Sequence, residues 1–289
     1  MLGQEVVGLL DAKKLPHVDT DMDCDITDQG KIASFIAGKR IDWIVNCSAY
    51  TAVDKAETEE HIAEKVNSMG PGNLGAAASR IGARVIHIST DYVFNGKGTT
   101  PYLEDDHIDP INAYGRTKAH GEDALRGSSS MYFIIRTAWL YGIHGKNFVY
   151  TMLRLMNERN EVFVVNDQFG TPTYAPDLAA AIVSIMEQDS RSYGIYHYTN
   201  EEKTCWFEFA EEIYKVASER GWISHNCVIK PISTDQYPAK TIRPKYSVLS
   251  KRKIVDTFGM IIPSWQDGLR RFFMNTTWRE SILDPKRSG

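Results

Sequence analysis

Short apolar runs alternate with helix-patterned stretches through the first two-thirds of this chain, and that alternation restricts its fold more than any other feature. Ile41-Asp42-Trp43-Ile44-Val45-Asn46-Cys47 reads as a buried strand, and a helical pattern follows from about Lys55 to Ile81. Arg84 to Ser89 is the next strand, Asn112 to Leu125 a helix, and Met131 to Arg136 another strand. Strands separated by helices are the mark of βαβ units and a parallel sheet. The expectation is an α/β fold built on a doubly wound parallel sheet.

Beyond Tyr150 the pattern loosens. Asn147 to Asn157 and Thr204 to Arg220 look helical, the second carrying Trp206, Phe207, Phe209, Ile213 and Tyr214. Pro231, Pro238, Pro244 and Pro263 punctuate the remainder, which suits a smaller, irregular lobe. Residues 1–145 are therefore expected to form a dinucleotide-binding domain. Residues 146–289 should be mainly a substrate-binding lobe, with some segments returning to the first domain.

The N-terminus departs from that plan. In an open α/β nucleotide fold the first strand feeds a glycine-rich turn, whose N–H groups and following helix receive a pyrophosphate. Here the helical pattern of Val6, Val7, Leu9 and Leu10 begins at once, and Gly3 stands where the last glycine of such a loop would be. About ten residues of the expected strand and turn are absent, and a truncated or misplaced start is the reading adopted. A strand is expected around Leu15 to Val18, after which Asp19 or Asp21 would accept a ribose hydroxyl.

Chemistry is concentrated at Ser89-Thr90-Asp91-Tyr92-Val93-Phe94 and Tyr114-Gly115-Arg116-Thr117-Lys118. The first run puts a hydroxyl at the end of an apolar strand. The second puts a tyrosine and a lysine at i and i+4, on one helix face. A nearby ammonium favours a phenolate, so Lys118 is expected to lower the pKa of Tyr114 from about 10. Thr90 could hold a carbonyl oxygen while Tyr114 protonates it. The spacing alone is weak, since 14 tyrosines should meet a lysine at that distance about once by chance. Its position after a strand-end Ser-Thr-Asp-Tyr run makes it informative. Hydride addition to a ketone, with a nicotinamide alongside, is the reaction these groups suit.

Composition excludes several other classes. A net charge of -4 leaves no basic footprint for nucleic acid. No apolar run approaches the roughly 18 residues of a membrane span, and no secretory signal opens the chain. Cys24, Cys47, Cys205 and Cys227 form no Cys-x-x-Cys pair, so they read as reduced thiols of a cytoplasmic protein. Asp19-x-Asp21-x-Asp23 invites a calcium loop, but Cys24 and Gly30 stand where glycine and glutamate are required. His87, inside a strand, reads as a core histidine.

These runs resemble the extended short-chain dehydrogenase/reductase superfamily, and within it the bacterial dTDP-4-dehydrorhamnose reductases. The likeness continues through Asn46-Cys47-Ser48-Ala49-Tyr50-Thr51-Ala52-Val53-Asp54-Lys55-Ala56-Glu57 and Arg136-Thr137-Ala138-Trp139-Leu140-Tyr141-Gly142. Gly145-Lys146-Asn147-Phe148, Asn166-Asp167-Gln168-Phe169-Gly170-Thr171-Pro172-Thr173, Pro238-Ala239-Lys240, Arg243-Pro244 and Pro263-Ser264-Trp265 extend it in order along nearly the whole chain. Each motif is modest, and the ordered set is specific. The resemblance implies a Rossmann-like sheet and reduction of dTDP-4-dehydro-L-rhamnose to dTDP-L-rhamnose for cell-surface carbohydrate.

By that resemblance Thr90, Tyr114 and Lys118 are the catalytic hydroxyl, acid and lysine, with Lys118 also bonding the nicotinamide ribose. Gly3, Asp25, Ile26, Ala49, Tyr50 and Thr51 would follow the cofactor. Tyr92 and Trp139 would line the sugar pocket, although an aromatic at Trp139 would ordinarily be core. Arg243 is the candidate for the diphosphate, because a guanidinium grips phosphate oxygens in pairs. The family implies NADP(H), with NAD(H) as the other form. Some members use magnesium between subunits, and no matching glutamate cluster is found here. A monomer or a homodimer fits equally.

Two other functions compete. A sugar-nucleotide dehydratase should carry an Asp-Glu pair beside the strand-end threonine, where this chain has Asp91 and Tyr92. The chain also resembles the non-catalytic β subunit of methionine adenosyltransferase, a regulatory module of the same fold.

Overall fold

The computed structural model describes residues 1–238 and 241–275. Helices α1 (Leu2–Ala12) and α2 (Gln29–Ile36) precede the first strand, β1 (Trp43–Asn46). Then come α3 (Val53–Ala56), α4 (Glu60–Glu64) and α5 (Gly70–Ile81), with a π-helical segment at Lys65–Met69 leading into α5. β2 (Arg84–Thr90), α6 (Ala113–Ser128) and β3 (Tyr132–Thr137) follow. Next are β4 (Leu140–Tyr141), α7 (Phe148–Glu158), β5 (Glu161–Val165), β6 (Phe169–Gly170) and β7 (Thr173–Tyr174). After α8 (Ala175–Glu187) and β8 (Gly194–His197) lie β9 (Thr204–Cys205), α9 (Trp206–Glu219) and β10 (Val228–Ile232). The described chain ends with α10 (Arg252–Phe258) and α11 (Trp265–Met274).

The main sheet has the order β1-β2-β3-β8, all parallel. Parallel strands buried on both faces read as nearly continuous apolar runs, as Val85-Ile86-His87-Ile88 and Phe133-Ile134-Ile135 do. One face is covered by α1 and α8, where Leu2, Val6, Leu10, Leu178, Ile182 and Ile185 close on Ile86, Phe133 and Ile135. Ala78 and Leu125, from α5 and α6, cover Val85 and Ile134 on the other. Helices on both faces of a parallel sheet make this an α/β, Rossmann-like doubly wound fold.

A second hydrophobic cluster joins α7, β5, α9 and α11 through Val149, Leu153, Val162, Phe209, Ile213, Leu269 and Phe272. α8, β8 and α10 belong instead to the sheet's own core, so the chain returns to the first layer after entering the second.

One local expectation fails. Leu15 to Val18 forms no strand, because the Leu15 N–H returns to the Leu10 carbonyl at 2.9 Å as a helix-end bond rather than pairing sideways. Gly3 lies in the first turn of α1, where a side chain would touch the Cys47 Cβ at 3.6 Å.

Candidate active site

The site is assembled where β2 ends and α6 begins. Asn112 caps α6, its side chain accepting the Gly115 N–H at 2.8 Å, and so fixes the first turn that carries Tyr114. Gly115 permits that turn to lie against the preceding loop: a Cβ there would sit 2.2 Å from the Tyr92 carbonyl oxygen. Arg116 grips Glu60 with two hydrogen bonds, 3.0 and 3.1 Å, tying the same turn to α4. The result brings the Tyr114 phenol beside the Thr90 hydroxyl, close enough for Thr90 to favour the phenolate. Tyr92 and Tyr114 meet edge to face, with ring centroids 5.5 Å apart.

Thr90 is buried at the end of β2 and makes further bonds. Its hydroxyl donates to Asp91 at 3.0 Å and accepts the Tyr92 N–H at 3.2 Å. Burial raises the Asp91 carboxyl to about 6, against the neighbouring Ser247 hydroxyl and the Thr90 hydrogen bond, which favour the carboxylate. Asp91 served in the sequence only to argue against a dehydratase; its burial beside Thr90 comes from the fold.

The expected effect of Lys118 on Tyr114 is not what the structure gives. Burial raises the phenol to about 12, opposed by the neighbouring Thr90 hydroxyl and reinforced by Asp91. Lys118 makes its shortest bond, 2.6 Å, to the Ile88 carbonyl, and burial lowers its own pKa to about 8. The amine is turned to the Ile88 carbonyl rather than to the phenol, so desolvation of Tyr114 is left to dominate. Its neighbours reinforce this. The Ser48 N–H donates to Asn46 Oδ1 at 3.0 Å, which turns the Asn46 amide nitrogen to His87 Nδ1, also at 3.0 Å. That leaves the imidazole proton on Nε2, 3.4 Å from the Lys118 amine, where it disfavours an ammonium. His87 is fully buried and held well below its ordinary pKa by burial and by Lys118.

The residues expected to follow a cofactor gather near the end of β1. Gly3 abuts Cys47, and the Tyr50 N–H donates to Asn67 Oδ1 at 2.8 Å. Ala49 is half-buried, and Thr51 is exposed beside it. Ile26 packs on Gly70, one turn beyond Asn67, so the segment that ends in α5 brings Ile26 and Tyr50 to the same helix. Asp25 is exposed and accepts from both the N–H and the hydroxyl of Thr27, which lowers its pKa. Asp19 and Asp21 are exposed in the preceding turn. This row fits an extended dinucleotide in donor chemistry: a helix N-terminus at one end, backbone of an exposed strand-end loop, and the Lys118 amine behind it.

Arg243 reaches the site from the far end of the chain. Asn112 donates to the Ile242 carbonyl at 3.0 Å, and Arg243 pairs with Asp54 at 3.5 Å while lying close enough to oppose in part the burial that raises the Tyr92 pKa. Gly96, with φ +76, makes room for Pro244: a Cβ there would lie 2.5 Å from its Cα. Trp139 stands two residues beyond Thr137, which is Thr90's register partner in the sheet. It is half-buried and stacks on Trp206 with centroids 3.6 Å apart. Trp206 and Ser247 were not singled out as site residues, because their relation to Trp139 and Asp91 spans tens of residues. Ala239 and Lys240 of the family-like runs lie outside the described residues.

Among the described residues, no group of three or more His, Cys, Asp or Glu side chains is arranged to hold a metal ion. Among them too, no helix is long and apolar enough to cross a membrane.

Comparison with known proteins agrees with this architecture. Residues 1–277 match the family model described as the RmlD substrate binding domain. The spore coat polysaccharide biosynthesis protein SpsK of Bacillus subtilis is 42% identical over 282 residues, covering 98% of this chain and 92% of that protein. The dTDP-4-dehydrorhamnose reductase of Escherichia coli is 38% identical over 255 residues, covering 87% of this chain and 85% of the enzyme. The crystal structure of dTDP-4-dehydrorhamnose reductase from Bacillus anthracis in complex with NADP superposes with a TM-score of 0.88 at 38% identity, covering 94% of this chain and 95% of that one. With its sheet order, its Thr90–Tyr114 pair and a family match over nearly its full length, this chain belongs to the RmlD substrate-binding domain family.

Proposed function

We propose that this protein is a cytoplasmic reductase that converts the C4 ketone of dTDP-4-dehydro-L-rhamnose to the alcohol of dTDP-L-rhamnose, with NADP(H) as its preferred cofactor. The observation that carries the reading is the neighbouring of the Thr90 hydroxyl and the Tyr114 phenol at the end of β2, with the Lys118 amine buried behind them. A nicotinamide, when bound, supplies the hydride. Tyr114 supplies the proton to the C4 oxygen. With its pKa raised to about 12 the phenol is neutral at physiological pH, which is the form an acid must have. Thr90 orients the same oxygen, and its own position is held by Asp91 and the Tyr92 N–H. Lys118 would bind the nicotinamide ribose and supply a proton behind Tyr114.

Gly3, Asp25, Ile26, Ala49, Tyr50 and Thr51 would hold the remainder of the cofactor, within a domain ending near residue 145. Tyr92 and Trp139 would enclose the sugar. Arg243 would take the diphosphate, exchanging its partly exposed pair with Asp54 for phosphate oxygens; such pairs are weak, so the exchange costs little. The reductases among the relatives support an enzyme over a regulatory subunit.

The test is direct. Purified protein is mixed with dTDP-4-dehydro-L-rhamnose and either NADPH or NADH, and loss of reduced nicotinamide is followed with product identification by mass spectrometry. Formation of dTDP-L-rhamnose, faster with NADPH, is expected. No oxidation of either cofactor with this sugar would overturn the reading.

A further inference from the structure

Trp139 adopts φ +48, a left-handed backbone conformation that bulky side chains seldom occupy. Something outside the residue must hold it there. Its indole lies flat against that of Trp206, the first residue of α9, with centroids 3.6 Å apart and planes inclined by 10°. Trp206 is fixed in turn by Phe148, whose ring centroid is 4.6 Å away, and by a capping box in which Cys205 and Glu208 close the helix start. A second constraint comes from Gly170. A Cβ at that position would fall 2.6 Å from Trp139 Cε2 and 2.8 Å from Cζ2, so the ring edge occupies the space a side chain would need. The same Cβ would lie 2.9 Å from the hydroxyl of Ser247, a neighbour of Asp91, which Thr90 hydrogen-bonds.

We infer that Trp206 is a positioning residue for the sugar nucleotide: it fixes the Trp139 indole against Gly170 and so sets the wall of the pocket facing Thr90 and Tyr114. The inference rests on the proposed reading of Trp139 as part of the sugar site. It adds that the wall is governed from α9, a helix of the second hydrophobic cluster, and not from the strand that carries Trp139. Both indoles are half-buried, so one ring can face a ligand while the other supports it. A sugar ring presents C–H groups to such a face, and losing the planar support should act on substrate binding more than on proton transfer.

Trp206→Leu should raise KM for the dTDP sugar about tenfold, with a much smaller fall in kcat and unchanged affinity for NADPH. Trp206→Phe, which keeps a flat ring, should restore most of the loss. Gly170→Ala acts from the opposite element and should raise the same KM by pushing the indole aside, even if the Trp206 variants fold poorly. A readout free of activity is the exciton couplet of two stacked indoles in circular dichroism, which Trp206→Leu should abolish and Gly170→Ala weaken. A normal KM in folded Trp206→Leu and Gly170→Ala, with a raised KM in Trp139→Leu, would overturn the positioning role. A normal KM in all three would overturn the sugar-wall reading beneath it.

Discussion

Lys118 makes its shortest hydrogen bond to the carbonyl of Ile88, at 2.6 Å, although helix spacing puts it on the same face as Tyr114. The two residues are therefore coupled through the end of β2 rather than by a direct ammonium–phenol contact. Burial dominates both: it raises the phenol to about 12 and lowers the amine to about 8. An acid that stays protonated beside a lysine that titrates near neutrality suits delivery of one proton and its replacement from behind.

Replacing Tyr114 with Phe keeps the ring that packs on Tyr92 and removes the donor. Turnover should fall by at least about 100-fold, the usual scale of general-acid catalysis, with little change in sugar KM. Steady-state kinetics with purified Tyr114→Phe checks this, and near-normal turnover would remove Tyr114 from the mechanism.

Lys118→Met should lower turnover and weaken NADPH binding together. It should also change how stability depends on pH. Because the native amine titrates near 8 and the unfolded one near 10.5, the unfolded chain binds more protons in that window. Wild-type stability therefore gains from this site as pH rises from 8 to 10.5, by roughly 3 kcal/mol at most. Urea denaturation across that range should show the gain in wild type and not in Lys118→Met. Parallel curves would mean that Lys118 is ordinary in the native state.

Asp91 has the opposite sign. Its native carboxyl titrates near 6 and its unfolded one near 3.8, so the native state holds the extra proton between those values. The contribution is complete below about pH 4 and is lost as pH rises through 6, roughly 3 kcal/mol in all. Asp91→Asn keeps a hydrogen-bonding side chain and cannot ionise. Its stability relative to wild type should rise between pH 4 and 6, measured by denaturant melts, and a constant difference would contradict a buried, protonated Asp91.

Glu122 and Arg136 form a buried pair, each 2% exposed, through two hydrogen bonds of 2.9 and 2.7 Å. Ser89, one residue before Thr90, donates to the same carboxylate. Glu122→Gln leaves the guanidinium without its counter-charge and should cost about 3–5 kcal/mol. A loss below about 1 kcal/mol in equilibrium unfolding would show that solvent reaches the pair.

The amino-acid sequence by itself determined the layered α/β plan, because strand and helix periodicities are local properties of the chain. β1, β2, β3, α6, α7 and α9 fall within a few residues of their expected positions, while the helical stretch from Lys55 to Ile81 is divided into α4, a π-helical segment and α5. It also determined the candidates Thr90, Tyr114 and Lys118, since a strand-end hydroxyl and an i, i+4 pair can be read without tertiary contacts. The Leu15 to Val18 strand was misread for the complementary reason: an extended apolar segment becomes a strand only when a neighbouring edge pairs with it. Only the tertiary structure decided the protonation of the site. It buries Lys118 and Asp91, half-buries Tyr114 beside them and sets His87 against the amine, and desolvation depends on what surrounds a group rather than on its place in the chain. It likewise brought Arg243 to Asp54, Ser247 to Asp91 and Trp206 to Trp139, pairs whose separation in sequence hides them until β2, α6 and the α9 cluster are packed.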